Sequence, residues 1–222
     1  MRKTVDATEA EFDALAEASK TMSTQIATST GEINEVMATA GQLGINKNYL
    51  ADFSRTMIDL GNSTDIVANE AASTLAKFAN ITNMDQSLFG NLGATLVDLG
   101  NKFATTESSI MEMSLRLAAA GHQVGLSEAQ ILGFAAALSS VGIEAEMGGS
   151  AFSKALINME VAAATGGQAL EDFARVSGMT AEQFIAAYVK QQMTPKELPS
   201  MPDNTYALAL EGTELGEVLK CD

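Results

Sequence analysis

The sequence predicts an all-α protein with no β-sheet, built from helical hairpins that are separated by glycines. The three prolines, Pro195, Pro199 and Pro202, lie within eight residues, so the first 194 residues contain no helix-breaking proline. Aromatic residues make up only 5% of the chain, whereas Ala is frequent and Met occurs 12 times. This composition favours helices over strands. Glycines recur at regular intervals, which is typical of positions where helices end.

Composition and charge exclude several classes of function. The 222 residues include 28 acidic and 13 basic side chains, a net charge of −15, so we expect no nucleic-acid binding through a basic patch. The chain has one histidine, His122, and one cysteine, Cys221, so we expect no disulfide and no His/Cys metal site. The sequence contains no run of about 18 apolar residues, so we expect no transmembrane helix. Residues 1–4 lead into an acidic amphipathic segment instead of a signal sequence, which predicts a soluble protein made inside the cell.

We assign residues 1–43 to an N-terminal helical region. Within residues 6–40, seven apolar side chains form a narrow stripe with spacings of mostly three, four or seven residues. This spacing fits a coiled-coil seam, and it fits equally well a pair of amphipathic helices broken at Gly31. The stripe consists of Phe12, Leu15, Met22, Ile26, Ile33, Val36 and Met37.

Residues 44–191 contain an internal repeat. Each unit begins with Gly or Asn, followed by an apolar residue and a helix-capping residue, which predicts helical hairpins of about 40 residues. The third unit is longer, at 53 residues from Gly125 to Gly178. The unit starts are Gly44-Ile45-Asn46, Asn83-Met84-Asp85, Gly125-Leu126-Ser127 and Gly178-Met179-Thr180. The predicted helices lie near residues 46–60, 64–80, 85–99, 106–121, 127–141 and 145–165.

The repeat makes specific predictions about caps, backbone conformation and the core. The sequences Ser127…Gln130 and Thr180…Gln183 fit the capping box, in which the backbone amide of each residue donates to the side chain of the other. We expect a positive φ at three glycines that close predicted helices, and burial at three equivalent positions of the repeat. The three glycines are Gly61, Gly100 and Gly142, and the three core positions are Phe53, Leu92 and Phe134.

Residues 192–222 differ from the rest of the chain. They contain all three prolines and six acidic residues against two lysines, which predicts a linker followed by a poorly ordered acidic tail. A short helix over residues 205–220 is weakened by Gly212 and Gly216.

Few residues suggest chemistry, and each has a simpler structural explanation. His122 is expected to interact with the carbonyl end of a helix dipole, because no oriented nucleophile or second ligand accompanies it. The sequence Gly148-Gly149-Ser150 lacks the preceding strand and the lysine of a phosphate-binding loop, so a close helix crossing or a hinge explains it. Glu144 and Glu146 are two residues apart and do not share a helix face. We therefore predict a protein that is not an enzyme, with no catalytic, cofactor-binding or metal-binding residues and no cofactor.

Methionines and one apolar run allow two interpretations. Met at helical spacing usually fills a core, although Met-rich surfaces also form adaptable binding sites. The run from Ile131 to Leu138 is too short for a membrane span and predicts a buried helix face. The methionines concerned are Met57, Met84, Met111, Met113, Met147, Met159 and Met179.

Residues 71–189 resemble the core region of phage tail tape measure proteins. The resemblance is carried by four segments that together extend over about 120 residues, and residues 1–70 are compatible with it. The segments are Leu75-Ala-Lys-Phe-Ala-Asn-Ile-Thr82, Leu96-Val-Asp-Leu-Gly-Asn-Lys-Phe-Ala-Thr-Thr-Glu107, Arg116-Leu-Ala-Ala-Ala-Gly-His-Gln-Val-Gly-Leu-Ser-Glu-Ala-Gln-Ile131 and Leu138-Ser-Ser-Val-Gly-Ile-Glu-Ala-Glu-Met-Gly-Gly-Ser-Ala-Phe-Ser-Lys154.

The resemblance implies a structural virion protein that lies in the tail tube lumen and acts in tail assembly and length determination. It implies the tail tube protein and tail assembly chaperones as partners, peripheral membrane contact, and a stay in the host cytoplasm during assembly. Self-association is a separate expectation for the chain. Family members are usually several times longer, so we expect this chain to be a truncated fragment or a remnant. The alternative is a free-standing helical protein–protein interaction module derived from a prophage.

Overall fold

The computed structural model describes Val5 and residues 7–193, with side chains up to residue 187. The described residues form ten α-helices and no strand, which confirms the predicted all-α class. A single 3-10 turn, Gln86–Leu88, precedes the fifth helix. The helices are α1 (Glu9–Gln25), α2 (Thr30–Gln42), α3 (Leu50–Ser63), α4 (Ala68–Thr82), α5 (Phe89–Lys102), α6 (Glu107–Gln123), α7 (Glu128–Ser140), α8 (Ala145–Thr165), α9 (Gln168–Val176) and α10 (Ala181–Met193).

The first eight helices form two rows. In one row α2, α4, α6 and α8 each pack against the next, and in the other α1, α3, α5 and α7 do the same. The rows also contact each other, for example through α2 with α3 and through α6 with α7. Each helix therefore turns an apolar side towards the layer between the rows, and one continuous core runs from Leu15 to Leu138.

A second, smaller core joins α9 and α10 to the end of α8. It consists of the buried residues Ala162, Leu170, Ala174 and Phe184. The rings of Phe173 and Phe184 stack with centroids 6.1 Å apart. This cluster is separate from the main core, so α9 and α10 depend on few apolar contacts.

The N-terminal region contains two helices, separated at residues 26–29. Each begins with a capping box, Thr8 with Glu11 and Ser29 with Glu32. Gly31 lies in the first turn of α2, so the break falls before it and not at it. Most of the apolar stripe is buried in the main core, because α2 packs against α3 and α4 as well as α1. The boundaries at residues 43 and 191 stay predictions.

The turns that begin the predicted units share one backbone geometry. Positive φ occurs at Gly44 (90°), Asn83 (53°), Gly125 (79°) and Gly178 (67°). At each turn the amide of the next residue donates to the carbonyl five residues before it, over distances of 2.8–3.1 Å. This is the Schellman arrangement, which satisfies the last carbonyls of a helix. The predicted capping boxes at Ser127 and Thr180 are also present.

The prediction of positive φ is correct at Gly142 (79°) and wrong at Gly61 and Gly100. Those two glycines lie inside α3 and α5, because both helices continue three residues further than predicted. They face the helix that follows: a Cβ at Gly61 would lie 3.1 Å from the Cβ of Ala68, and one at Gly100 would collide with the Glu107 side chain. Close packing, and not a left-handed turn, explains these two glycines.

Several predicted helix starts are also wrong. The helices predicted from residues 46 and 64 begin at Leu50 and Ala68, because capped turns precede them. In one of these turns Asn46 Oδ1 accepts from the amide of Asn48 at 3.0 Å. The long third unit is not a stretched hairpin, since it contains the three helices α7, α8 and α9. The predicted linker and tail at residues 194–222 lie outside the described residues, and residues 192 and 193 belong to α10.

Two predicted core residues, Phe53 and Leu92, are buried, whereas Phe134 is only half-buried. Phe134 lies at the edge of the main core, where its ring is 4.8 Å from that of Phe152. The seven methionines also differ in burial. Four are buried and Met159 is half-buried, but Met147 and Met179 are exposed. The buried methionines are Met57, Met84, Met111 and Met113.

Candidate interaction surface

The residues that suggested chemistry are dispersed. His122 is exposed in the last turn of α6, and Glu144 and Glu146 are exposed at the start of α8. In the part of the chain that the structure describes, no three His, Cys, Asp or Glu side chains converge as metal ligands. The structure therefore brings none of these residues together into a site.

Gly148 and Gly149 lie where α8 crosses α6. A Cβ at Gly148 would be 2.5 Å from Cγ2 of Ile143 and 2.9 Å from Cε of Met113. A Cβ at Gly149 would be 2.5 Å from the Cβ of Arg116. All three distances are shorter than normal contacts, so the glycines permit the close crossing that was the simpler explanation of this sequence. No phosphate site is built here, because both glycines are buried against protein atoms.

Asp65 has a role that the sequence did not indicate. Its carboxylate accepts from the backbone amide of Ser108 at 3.1 Å and from the Ser108 hydroxyl at 2.5 Å. Asp65 therefore helps to cap the N-terminus of α6 from the turn between α3 and α4. Burial acts to raise the pKa of Asp65, but the hydrogen bonds from Ser108 outweigh it, and the pKa is lowered. Asp65 and Ser108 are 43 residues apart, so no local pattern reveals the contact.

A second charged contact connects α1 to the turn before α3. Lys47 Nζ lies 2.8 Å from Glu11 Oε1. This hydrogen bond from Lys47, together with those from Thr8, lowers the pKa of Glu11 to about 2. Both side chains are well exposed, so the pair contributes little to stability.

Part of each occurrence of the sequence Asp-Leu-Gly-Asn lines an open groove between α3 and α5. Asp59 from its first occurrence and Asp98 from its second face this groove, which has a volume of about 570 Å³. Each carboxylate is already paired within its own helix, Asp59 with Arg55 at 3.7 Å and Asp98 with Lys102 at 2.8 Å. The groove therefore presents no unpaired charge to a ligand.

Among the described residues, three of the exposed large apolar side chains lie on the outer face of α8. Met147, Ile157 and Val161 are 66%, 43% and 53% exposed. They follow one another at intervals of ten and four residues, which places them along one side of the helix. Lys154 lies between them and is also exposed. Sequence reasoning took Met147 as a candidate for the core, because apolar content does not show which side of a helix has a neighbour.

The described residues therefore form an all-α array in which an apolar face of α8 is exposed. A family model described as phage-related minor tail protein matches residues 16–203. The chain therefore belongs to this family, which is the tape measure protein family of phage tails. Searches of curated proteins and of solved structures gave no match.

Membership defines the general role of the chain. It is a structural protein of the phage tail with a role in tail assembly, and the family is not enzymatic. Its partners are other tail components, and its place in the virion is the tail. Among the helices that the structure describes, none combines the length and apolarity needed to cross a membrane.

Proposed function

We propose that the chain lies in the lumen of the tail tube during assembly and contributes to the determination of tail length. The family match over residues 16–203 is the observation that carries this proposal. The proposal includes the tail tube protein and the tail assembly chaperones as direct partners. The two rows of helices support it, because such arrays expose long surfaces along which other subunits bind.

The proposal also includes a repeated helical hairpin as the structural unit. Helices α2, α4, α6 and α8 begin at residues 30, 68, 107 and 145, and α3, α5 and α7 begin at residues 50, 89 and 128. Both series advance by 38 or 39 residues. This spacing and the shared turn at Gly44, Asn83 and Gly125 support a repeat of about 39 residues.

A folded array of this kind contributes little length. As one continuous helix, 222 residues would extend about 330 Å at about 1.5 Å per residue. The hairpins fold back on themselves and span much less. We therefore propose that these helices act as a folded segment in tail assembly, and that this chain alone does not set the length of a normal tail.

Protease protection tests the location in the lumen. Tails are purified from a phage that carries an epitope-tagged copy of the chain, and they are treated with protease before and after the tube is disrupted. We expect the chain to be protected in intact tails and cleaved after disruption. The free chain and an exterior tail protein serve as controls. Cleavage in intact tails, or absence of the chain from tails, would contradict the proposal.

Complementation tests the contribution to length. The chain is supplied to a phage that lacks its tape measure gene, and tails are measured by electron microscopy. We expect no tails of normal length. Infectious tails of full length, built with this chain alone, would contradict the account of a folded segment.

The exposed face of α8 favours a second candidate function, a free-standing interaction module. In that case the chain would bind a partner outside the virion. Mass spectrometry of purified virions and of the infected-cell fraction distinguishes the two, because a free-standing module is found only in the cell fraction.

A further inference from the structure

The junction between α8 and α9 consists of two glycines in a backbone conformation that other residues avoid. Gly166 has a φ of 71° and a ψ of −152°, and Gly167 has a φ of 81° and a ψ of −165°. This region of φ and ψ is essentially restricted to glycine. A Cβ at either position would meet no atom within 4 Å. The backbone conformation therefore explains the two glycines, whereas close packing does not.

This junction also differs from the other turns in its hydrogen bonds. Five other turns of the described chain contain one residue of positive φ each, and a backbone hydrogen bond spans every one of them. Gly166 instead donates backwards to Ala162 of α8 at 2.8 Å, and Gly167 accepts from Leu170 of α9 at 3.1 Å. No backbone hydrogen bond between described residues thus bridges the two glycines. The five other turns are at Gly44, Asn83, Gly125, Gly142 and Gly178.

The two helices that follow this junction are held together by their own contacts. Across the turn between them, the amide of Met179 donates to the carbonyl of Ala174 at 2.8 Å. The rings of Phe173 in α9 and Phe184 in α10 stack with centroids 6.1 Å apart. Helices α9 and α10 therefore form one unit, the α9–α10 hairpin.

Few contacts attach the α9–α10 hairpin to the rest of the molecule. Among the described residues, no hydrogen bond or ion pair joins it to α1–α8. On α8, Met159 and Ala162 pack against its apolar side, and Ala162 is only 1% exposed. The hairpin is therefore attached through this apolar contact and through the chain at the two glycines.

The outer side of α9 is suited to water in any position of the hairpin. Glu171, Asp172 and Arg175 are exposed, and the ion pair of Arg175 with Asp172, at 3.6 Å, lies within α9. Movement of the hairpin away from α8 leaves this pair intact. It exposes only the apolar contact around Ala162, which is small, and the free energy of such a contact scales with its area.

We propose that the α9–α10 hairpin is a cover that swings as one body about Gly166 and Gly167. In the open position Met159 and Ala162 are exposed, so the hairpin controls how much apolar surface α8 presents. This inference goes beyond the proposed role in the tail and does not depend on it. Hinges are short segments that absorb large changes in φ and ψ, and glycine accepts more of these changes than any other residue. No hydrogen bond across the junction has to break.

Double electron–electron resonance of the full chain measures the movement, with spin labels on exposed positions in a Cys221→Ser background. The pair Ala155→Cys and Ala186→Cys reports the distance between α8 and the hairpin. The pair Asn34→Cys and Glu112→Cys, in α2 and α6, is the control within the array. We expect two distances, or one broad distribution, for the first pair and one narrow distance for the control. A single narrow distance for the first pair would overturn the proposal.

A third pair distinguishes a swing from unfolding. Ala169→Cys and Glu182→Cys place both labels within the hairpin, at exposed positions of α9 and α10. We expect one narrow distance, because the hairpin moves as a body. A broad distribution for this pair would show that α9 and α10 separate from each other, and it would overturn the proposal.

Substitutions at the hinge and at the contact test the cause of the movement. Gly166→Ala strains the closed position and should raise the ratio of open to closed molecules about tenfold. Its control is Gly133→Ala, a glycine within α7 whose added Cβ meets no atom within 4 Å. Ala162→Glu should also raise the ratio about tenfold, because closure would bury its carboxylate. Its control is Ala164→Glu, at an exposed position of α8.

The distance between α2 and α6 shows whether each variant keeps the fold of the array. With that distance unchanged, both test variants should favour the open position and both controls should match the parent chain. If Gly166→Ala and Ala162→Glu leave the distribution between α8 and α10 unchanged, the proposal is wrong. Equal shifts in the test variants and their controls would overturn it as well.

Discussion

Helices α7 and α8 are both largely apolar, but they differ in how much of that surface is buried. In α7, Ile131, Leu132, Ala135 and Ala136 are buried, because α5 and α6 cover the helix. In α8, which follows directly, two glycines and one alanine are buried. Both helices end a row, but α7 packs against two helices of the array, whereas α8 packs chiefly against α6 and only slightly against α9 and α10. The difference shows that burial depends on how many neighbours cover a helix, so α8 keeps a core-like composition and exposes it.

The same contrast separates α1–α7 from α8–α10. The first region has one continuous core, whereas the second has a cluster of four buried residues. We therefore expect the first region to determine global stability and the second to open locally.

Truncation of a core aromatic residue should have the largest effect. Phe53 is almost fully buried, with its ring 4.5 Å from that of Phe89 in an edge-to-face arrangement. Phe53→Ala should lower the free energy of unfolding by about 3–5 kcal/mol, measured by urea denaturation. Phe184→Ala, in the small cluster, should increase proteolysis of α9 and α10 with a smaller change in the global midpoint. Equal midpoint shifts for the two variants would show that both regions unfold as one unit.

A Cβ at the crossing of α6 and α8 should have the next largest effect. In Gly149→Ala the new methyl group would lie 2.5 Å from the Cβ of Arg116, so α8 must shift. We expect a loss of about 1–3 kcal/mol, measured by thermal and urea unfolding. Gly133→Ala in α7 is the control, because no atom lies within 4 Å of its added Cβ. The control should be neutral or gain up to about 1 kcal/mol, and a stabilised Gly149→Ala would contradict the close crossing.

Removal of the cap on α6 should have a smaller effect. Asp65→Ala should cost about 0.5–2 kcal/mol at pH 7, because the amide of Ser108 loses its acceptor. The lowered pKa of Asp65 means that the folded state favours the carboxylate. Its contribution is therefore present above the unfolded pKa of about 3.9 and is lost as pH falls through the lower folded pKa. The denaturation curves of wild type and Asp65→Ala should differ at pH 7 and converge in strong acid. A difference between the two proteins that grows in acid would contradict the cap.

The turn at Asn83 should show the smallest effect. Asn83 has a φ of 53°, a conformation that glycine adopts freely and alanine does not. Asn83→Ala should lower stability by about 1 kcal/mol and Asn83→Gly should be nearly neutral. Chemical denaturation of the two variants side by side measures the difference, and equal losses would point to the side chain instead of the backbone.

Features that depend on neighbouring residues along the chain were predictable from the sequence. The turns at Gly44, Asn83 and Gly125 and the capping box at Ser127 are of this kind, because one short segment contains every group involved. The capping boxes at Thr8 and Ser29 were equally visible as Ser/Thr followed three residues later by Glu, and were missed.

Features that depend on contacts between distant segments were not predictable. The sequence predicts helix ends at Gly61 and Gly100, whereas in the structure each glycine packs against the helix that follows. Asp65 caps a helix that begins more than 40 residues later. The exposure of Met147 follows from the position of α8 at the end of its row, which no local pattern encodes.

Hydrogen exchange of the full chain, followed by mass spectrometry, tests the contrast between the two regions most directly. We expect the amides of α4 and α6 to exchange only through global unfolding. The amides of α8, α9 and α10 should exchange at least about a hundredfold faster than those of α4, because these helices open locally. Amides of α8 that are as protected as those of α4 would contradict the account.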